Sequence, residues 1–146
     1  RIILDRNLQI DLKSYLVKSI KNKNTIIFHN SNDKSKIKLL KKRGAILIKQ
    51  STDKYKNLDL KKILKDLYKM EIRNLLVEGG DILTKNFLQK KLFNEFYMFR
   101  SSKNLSKNKK HVNFTSFSIL NTKYNKHKIN SKLATDKLTI YKNWNV

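Results

Sequence analysis

The sequence predicts an α/β fold with three layers, in which a mainly parallel sheet carries helices on both faces and ends in a C-terminal antiparallel hairpin. Short apolar runs rich in β-branched residues alternate with stretches whose apolar residues recur at helical spacing. This β-α-β-α-β order requires right-handed crossovers between parallel strands. Near the C-terminus two neighbouring strand-like runs are joined by a short turn, which predicts the hairpin.

The predicted strands are short, as is usual for buried parallel strands. Five precede the C-terminal part of the chain, at residues 1–5, 25–29, 45–48, 75–77 and 95–100. Three more are predicted at residues 114–120, 126–134 and 137–142, with a turn at Thr135-Asp136.

Three helices are predicted between these strands, in addition to a helical turn at residues 14–18. The first follows the polar turn that contains Asp33 and ends at Gly44, because basic residues followed by Gly are typical of a helix C-terminus. The second covers about residues 60–70, with Asn57 or Asp59 as its N-cap. The third runs from Asp81 to about residue 91. Each has one apolar face that predicts burial.

The composition excludes several classes of protein. The chain has 146 residues, no Cys and no Pro, so disulfides, thiolate zinc sites and Cys nucleophiles are excluded. The isolated histidines His29, His111 and His127 argue against a metal site. The length fits a single domain, 1–146, or part of one. No apolar run has the length of a membrane span or of a signal peptide, so a cytoplasmic location is expected. Because the chain opens with Arg1 in an apolar run, we expect it to be the later part of a longer polypeptide.

A net charge of +23 raises nucleic acid as a partner. Only five of the 34 basic residues are Arg, although Arg makes most of the bidentate contacts to bases and phosphates. The Lys residues are also spread over the whole chain. The charge therefore favours solvated Lys on all faces, while a basic nucleic-acid-binding module stays open as an alternative.

One site has a defined place in the predicted fold. Gly79 and Gly80 are two of only three glycines, and they lie between a predicted strand and a predicted helix. A helix N-terminus suits a phosphate, and the lack of a Cβ allows close approach. Asp81 and Thr84 would cap this helix or bind a ligand, and Glu78 at the strand end would accept hydrogen bonds from a substrate. The alternative is a tight strand-to-helix turn with Glu78 in solvent.

The order of these motifs resembles one family. The segments that carry the resemblance are Arg1-Ile-Ile-Leu-Asp5-Arg6, Thr25-Ile-Ile-Phe28, Asp59-Leu60 and Leu75-Leu-Val-Glu78-Gly79-Gly80. Together they are similar to the C-terminal reductase domain of the bifunctional riboflavin-biosynthesis deaminase–reductase. The resemblance covers Arg1 to about Tyr97 and implies a dihydrofolate-reductase-like fold. It also implies NADPH-dependent reduction of 5-amino-6-(5-phosphoribosylamino)uracil, a phosphorylated pyrimidine, to its ribitylamino product.

The resemblance also implies roles for individual residues. Glu78 matches the glutamate that contacts the substrate. The positions assigned to NADPH by the resemblance and by the Gly-Gly turn are Arg6, Gly79, Gly80, Asp81, Ile82, Leu83, Thr84, Lys85 and Asn86. No metal site and no certain catalytic residue are implied.

The sequence departs from the family pattern in three places. Glu71 replaces a usual glycine, and Asn94 replaces a common acid. The family domain opens with strands and a helix that would precede Arg1 and that hold the substrate phosphate. We therefore predict a cofactor-side fragment with half a substrate site and an exposed sheet edge, which favours a homodimer. A non-catalytic remnant of the reductase fold is the second alternative.

Overall fold

A computed structural model describes residues 1–102, 114–129 and 136–143 of the chain. The polypeptide forms two compact units, Arg1–Leu75 and Leu76–Val146. The elements of the first unit are β1 (Ile2–Leu4), α1 (Tyr15–Lys18), β2 (Ile26–His29), α2 (Lys34–Lys42), β3 (Ile46–Lys49) and α3 (Leu60–Lys69). The elements of the second unit are α4 (Asp81–Gln89), β4 (Glu95–Arg100), α5 (Phe117–Lys123), β5 (Asn125–Ile129) and β6 (Lys137–Lys142).

The first unit contains a parallel sheet in the order β1-β2-β3. Ile27 in the central strand pairs with Ile3 on one side and with Leu47 on the other. All four residues of β2 are buried. Because successive side chains of a strand point to opposite faces, this burial shows that both faces of the central strand are covered. The parallel arrangement is thereby confirmed for the first three predicted strands, whereas the strand predicted at residues 95–100 lies in a separate antiparallel sheet.

The core on one face of this sheet is built around Ile27. The buried residues that pack with it are Leu8, Val17, Ile20, Leu40 and Ala45. They come from α1, from α2 and from the connecting segments beside them, which shows how the crossover segments cover the sheet. Phe28 is fully buried and, as the next residue in the strand, points to the opposite face.

The helices of the first unit begin and end where the sequence predicts. The Asp33 carboxylate accepts a 2.9 Å hydrogen bond from the backbone N–H of Lys36 at the start of α2. The Asp59 carboxylate accepts from Lys61 at 3.1 Å at the start of α3. Gly44 follows α2 with φ of +94°, in the left-handed region that glycine adopts without strain.

The second unit contains an antiparallel sheet in the order β4-β6-β5. The buried residues Leu88, Leu120 and Tyr141 form its core, and the Tyr124 hydroxyl donates a 2.8 Å hydrogen bond to the Leu88 carbonyl. The pairing of β5 with β6 confirms the predicted C-terminal antiparallel hairpin. Residues 130–135, which include the end of the predicted strand and the residue Thr135 of its turn, lie outside the described residues.

The predicted strand at residues 75–77 is wrong. These residues belong to neither sheet. Leu75, Leu76 and Val77 are 40%, 84% and 41% exposed, so no neighbouring strand or helix covers them among the described residues. The apolar run has the composition of a buried strand, but composition alone does not supply the partner strand that a sheet requires.

The predicted strand at residues 114–120 is also wrong, because α5 occupies Phe117–Lys123. Helical spacing places Phe117 and Leu120 on one side of α5, and Leu120 is fully buried. The β-branched and aromatic residues of this segment had favoured a strand. Among the described residues, no helix is long and apolar enough to cross a membrane.

Candidate functional site

The Gly79-Gly80 turn ends in an open helix N-terminus. Gly80 is the N-cap of α4, with φ −73° and ψ 176°, and no side chain caps the helix. The first hydrogen bond of the helix runs from the Thr84 N–H to the Gly80 carbonyl, at 3.1 Å. The N–H groups of Asp81, Ile82 and Leu83 therefore have no partner within the helix. By contrast, α2 and α3 are capped by the carboxylates of Asp33 and Asp59.

The two glycines of the turn have different surroundings. A Cβ on Gly79 would lie 2.7 Å from the Leu83 Cδ2 and 3.3 Å from the Leu83 Cβ, which is closer than ordinary contact. A Cβ on Gly80 would meet no atom within 4 Å. Gly79 is therefore required for close packing against α4, whereas the space beside Gly80 is open to a ligand.

Asp81 binds the turn that precedes α5. Its carboxylate accepts hydrogen bonds from the hydroxyl and N–H of Thr115, at 2.5 and 3.0 Å. It also accepts from the hydroxyl and N–H of Ser116, at 3.0 and 3.3 Å. Sequence reasoning missed Thr115 and Ser116, although a Thr-Ser pair before a helix is ordinary capping chemistry.

These hydrogen bonds change the acidity of Asp81. The hydrogen bond from the Thr115 hydroxyl lowers the pKa of the Asp81 carboxyl below its ordinary value of 3.8. Desolvation opposes this shift, and the hydrogen bonds from Ser116 and from the Thr115 N–H add to it. Asp81 is thus ionised at neutral pH, and a negative charge in the first turn of a helix is favourable. Its oxygens are occupied by protein donors, so Asp81 holds the helix start in place.

The other predicted residues of α4 are arranged around this start. Ile82 is 74% exposed, and Lys85 is exposed and forms no ion pair with another described residue. Asn86 donates a 3.0 Å hydrogen bond from its side chain to the Ile82 carbonyl. Leu83 and Thr84 are half-buried. Glu78 is exposed next to the glycines.

Arg6 lies in the first compact unit, at the end of β1. Its guanidinium donates to the Lys56 carbonyl and, at 3.1 Å, to the Asn7 side chain. Asp5 beside it accepts from the N–H groups of Gln9 and Ile10 at 2.8 and 2.7 Å, so its carboxylate holds a turn. Asp5 thus acts as a local cap of the segment that follows β1.

His29, to which the sequence assigned no role, ends β2 and is only 3% exposed. Its Nδ1 has no hydrogen-bond partner among the described residues. Burial lowers the pKa of the imidazole below 6.5, and the positive charges of Lys49 and Lys41 act in the same direction. The backbone of Ser31 and the charge of Asp5 oppose this shift. The described residues contain no group of three or more side chains suited to bind a metal ion.

Comparison with known families identifies one match. The RibD C-terminal domain family matches the chain over residues 1–132. The chain belongs to this family. The RibD C-terminal domain family was the one that the segments around Glu78 and Gly80 resembled, so that resemblance is confirmed.

Solved structures share the RibD C-terminal domain fold at low sequence identity. Acinetobacter baumannii RibD superposes with TM-scores of 0.68 and 0.69 in two forms, at 17% and 18% identity. A pyrimidine reductase-like protein from Corynebacterium diphtheriae gives 0.65 at 15% identity. Each match covers 97% of this chain but only 36%, 37% and 59% of the respective structures. The likeness confirms the predicted fold class, and no curated relative is found by sequence.

Proposed function

We propose that the chain binds NADPH at the start of α4 and belongs to a reductase that acts on 5-amino-6-(5-phosphoribosylamino)uracil. The observation that carries this proposal is the N-terminus of α4, where three backbone N–H groups are uncapped beside the open space at Gly80. Membership of the RibD C-terminal domain family supports a reductase-like role in the riboflavin pathway.

The geometry suits a phosphate group for two reasons. The N–H groups of Asp81, Ile82 and Leu83 add hydrogen-bond donors to the positive end of the helix dipole. Lys85 supplies a full positive charge one turn further along, without a competing carboxylate partner among the described residues. We assign these four residues and Gly80 to the pyrophosphate of NADPH.

The remaining predicted residues have supporting roles. Gly79 and Leu83 pack the turn against α4, and Asp81 ties the helix start to Thr115. Thr84 and Asn86 satisfy backbone groups of the first turns. The Lys56 carbonyl holds Arg6 within the first unit, and the proposed cofactor role of Arg6 is carried by the family resemblance alone.

The proposed reaction adds a hydride to C1 of the open-chain sugar imine and a proton to the imine nitrogen. NADPH supplies the hydride when bound. Glu78, exposed next to the glycines, is proposed to accept hydrogen bonds from ring N–H or amine groups of the pyrimidine. Since the chain spans about a third of the RibD structures, we expect it to bind cofactor without supporting the turnover of a complete enzyme, which is ~1–10³ s⁻¹.

The test is a thermal shift of the chain with NADPH, with NADH and pyrophosphate as controls, at about 0.3 M salt, where surface charge is screened. A ligand at 100 times its Kd stabilises a protein by ~2.7 kcal/mol. We expect NADPH to raise the Tm and Lys85→Gln to reduce that increase. Lys61→Gln is the matched control, because Lys61 is exposed in the first turn of α3, where Asp59 already caps the helix.

Two outcomes would contradict the proposal. Equal Tm increases with NADPH, NADH and pyrophosphate that fade as salt is added would show a response to net charge, which favours a polyanion or nucleic-acid partner. An NADPH effect that Lys61→Gln reduces as much as Lys85→Gln would place the ligand elsewhere.

A further inference from the structure

The start of α4 contains two kinds of group that attract each other. The backbone N–H groups of Asp81, Ile82 and Leu83 have no partner within the helix, and no side chain caps them. They form the positive end of the helix dipole. The Asp81 carboxylate belongs to the same turn and is negatively charged at neutral pH. Because this anion is tied to the chain, its effective concentration beside the N–H groups is high, and it competes with any free anion for them.

The Asp81 carboxylate is nevertheless bonded to donors outside α4. Its Oδ1 atom accepts from the N–H and the hydroxyl of Ser116 at 3.3 and 3.0 Å, and from the N–H of Thr115 at 3.0 Å. Its Oδ2 atom accepts from the Thr115 hydroxyl at 2.5 Å. Among the described residues, none of its hydrogen bonds runs to an N–H group of α4. Four donors outside the helix therefore hold an anion that the helix itself would attract.

Ser116 binds Asp81 instead of capping its own helix. It occupies the N-cap position of α5, where a serine hydroxyl ordinarily accepts from the N–H groups of the helix that follows. Its side chain makes no such bond. Ser116 is fully buried, and its hydroxyl donates to the Asp81 carboxylate. Helix α5 thus lacks a side-chain cap, while its N-cap residue stabilises the position of a side chain on α4.

We propose that Thr115 and Ser116 are positioning residues for the phosphate site at the start of α4. They hold the Asp81 carboxylate away from the free N–H groups, which leaves those groups available to the pyrophosphate of NADPH. The inference rests on the proposed function of this site. It gives the turn before α5 a role in cofactor affinity that acts through Asp81.

The same hydrogen bonds limit the repulsion between Asp81 and a phosphate. Like charges repel more strongly at shorter distance, so the position of the carboxylate sets the size of this effect. While it is bound to Thr115 and Ser116, the carboxylate cannot move into the open space beside Gly80, where a Cβ would meet no atom within 4 Å. Competition and repulsion therefore predict the same loss of affinity when Thr115 and Ser116 release the carboxylate.

The decisive comparison removes the contact from either end. Thr115→Val with Ser116→Ala removes both hydroxyls and loosens the carboxylate, so the Kd of NADPH, measured by titration at about 0.3 M salt, should rise roughly threefold to tenfold. Asp81→Ala removes the contact together with the anion, so its Kd should stay well below that of the double variant. On the Asp81→Ala background, adding Thr115→Val and Ser116→Ala should change the Kd by less than about twofold.

Amide hydrogen exchange, followed by NMR without cofactor, tests where the carboxylate lies. In the double variant, the loosened carboxylate should accept from the N–H groups of Ile82 and Leu83 and slow their exchange roughly fivefold. Adding Asp81→Ala should abolish that slowing. Thr122→Val is the matched control, because Thr122 is an exposed threonine of α5 whose hydroxyl donates to the Ser118 carbonyl at 2.9 Å.

A purely structural role for the contact predicts a different result. If Thr115 and Ser116 only hold α4 in place, Asp81→Ala should raise the Kd as much as the double variant does, and that outcome would overturn the proposal. Unchanged exchange at Ile82 and Leu83 in the double variant would also overturn it. If the parent chain fails to bind NADPH, the proposed function is wrong and so is the cofactor role of this turn, whereas the exchange measurement still shows whether the turn positions the carboxylate.

Discussion

The hydroxyl of Thr115 donates a 2.5 Å hydrogen bond to the carboxylate of Asp81, 34 residues earlier in the chain. This contact joins the first residue of α4 to the turn before α5. The start of the candidate cofactor helix is thereby fixed by a distant segment, in addition to its own local sequence.

Replacing Asp81 by Asn should lower the Tm at neutral pH, because the ionised carboxylate accepts four hydrogen bonds that an amide cannot all accept. The stabilisation is present above the ordinary carboxyl pKa of 3.8 and is lost as the pH falls through the lowered pKa of the folded state. The difference in Tm between the parent and Asp81→Asn should therefore become smaller as the pH falls. Thermal melts from pH 7 to pH 3 measure it. Asp136→Asn, at an exposed position, is the control, and an equal effect there would contradict this role.

Replacing Gly80 by Ser should change stability and affinity in opposite directions. A serine hydroxyl at the N-cap accepts from the free N–H groups of α4, and the backbone angles of Gly80 permit any residue. The Tm should rise, by an amount that corresponds to a few tenths of a kcal/mol or more. NADPH affinity, measured by titration, should fall because the same N–H groups are occupied. A variant that binds NADPH unchanged would show that these groups do not contact the phosphate.

Gly79→Ala should lower the Tm, in contrast to Gly80→Ser, for which we expect a higher Tm. The added Cβ would meet the Leu83 side chain at 2.7 Å, so α4 or Leu83 must shift. Overpacking of this kind typically costs about 1–3 kcal/mol. Urea denaturation of the parent and the variant measures the difference. Recovery of stability in Gly79→Ala with Leu83→Ala would confirm the contact as the cause.

His29 should make the first unit less stable in mild acid. Its lowered pKa means that the unfolded chain binds a proton more readily than the folded one. The stabilisation is complete above pH 6.5 and is lost as the pH falls below it, with a slope of at most about 1.4 kcal/mol per pH unit. His29→Gln should remove this slope from the free energy of unfolding between pH 7 and pH 5. A variant that keeps the slope would assign it to another group.

Substitutions at Phe28 and Leu76 test whether burial determines how much an apolar side chain contributes to stability. Phe28 is fully buried, so Phe28→Ala should cost about 3–5 kcal/mol. Leu76 is 84% exposed, and Leu76→Ser should change the free energy of unfolding by about 0.5 kcal/mol or less. Chemical denaturation checks both. A large loss at Leu76 would mean that this segment is paired in solution.

Local signals made most of the fold predictable. Asp33, Asp59 and Gly44 act through hydrogen bonds or backbone angles within a few residues. Asp33 and Gly44 were correctly placed, and of the two candidate caps Asn57 and Asp59 the structure uses Asp59. Strands β1 to β3 were predicted because β-branched runs recur between amphipathic helices. The strands predicted at residues 75–77 and 114–120 are wrong because the structure of these segments depends on contacts with distant parts of the chain rather than on composition.

The candidate site likewise has one part that local sequence predicts and one part that depends on distant contacts. The helix start after Gly80 could be predicted, because its chemistry is contained in four consecutive residues. The link from Asp81 to Thr115 and Ser116 could not, since their 34–35 residue separation leaves no periodic signal. The burial of His29 likewise depends on how the whole first unit packs.

The pairing of β4 with β6 has a consequence for synthesis on the ribosome. Every strand of the parallel sheet lies within Ile2–Lys49, so that sheet can form while the second unit is still being translated. Strand β4 pairs with Lys137–Lys142, which leaves the ribosome among the last residues of this sequence. Until then β4 lacks β6, which is its partner strand among the described residues, and its aromatic side chains are exposed to misassociation during that interval.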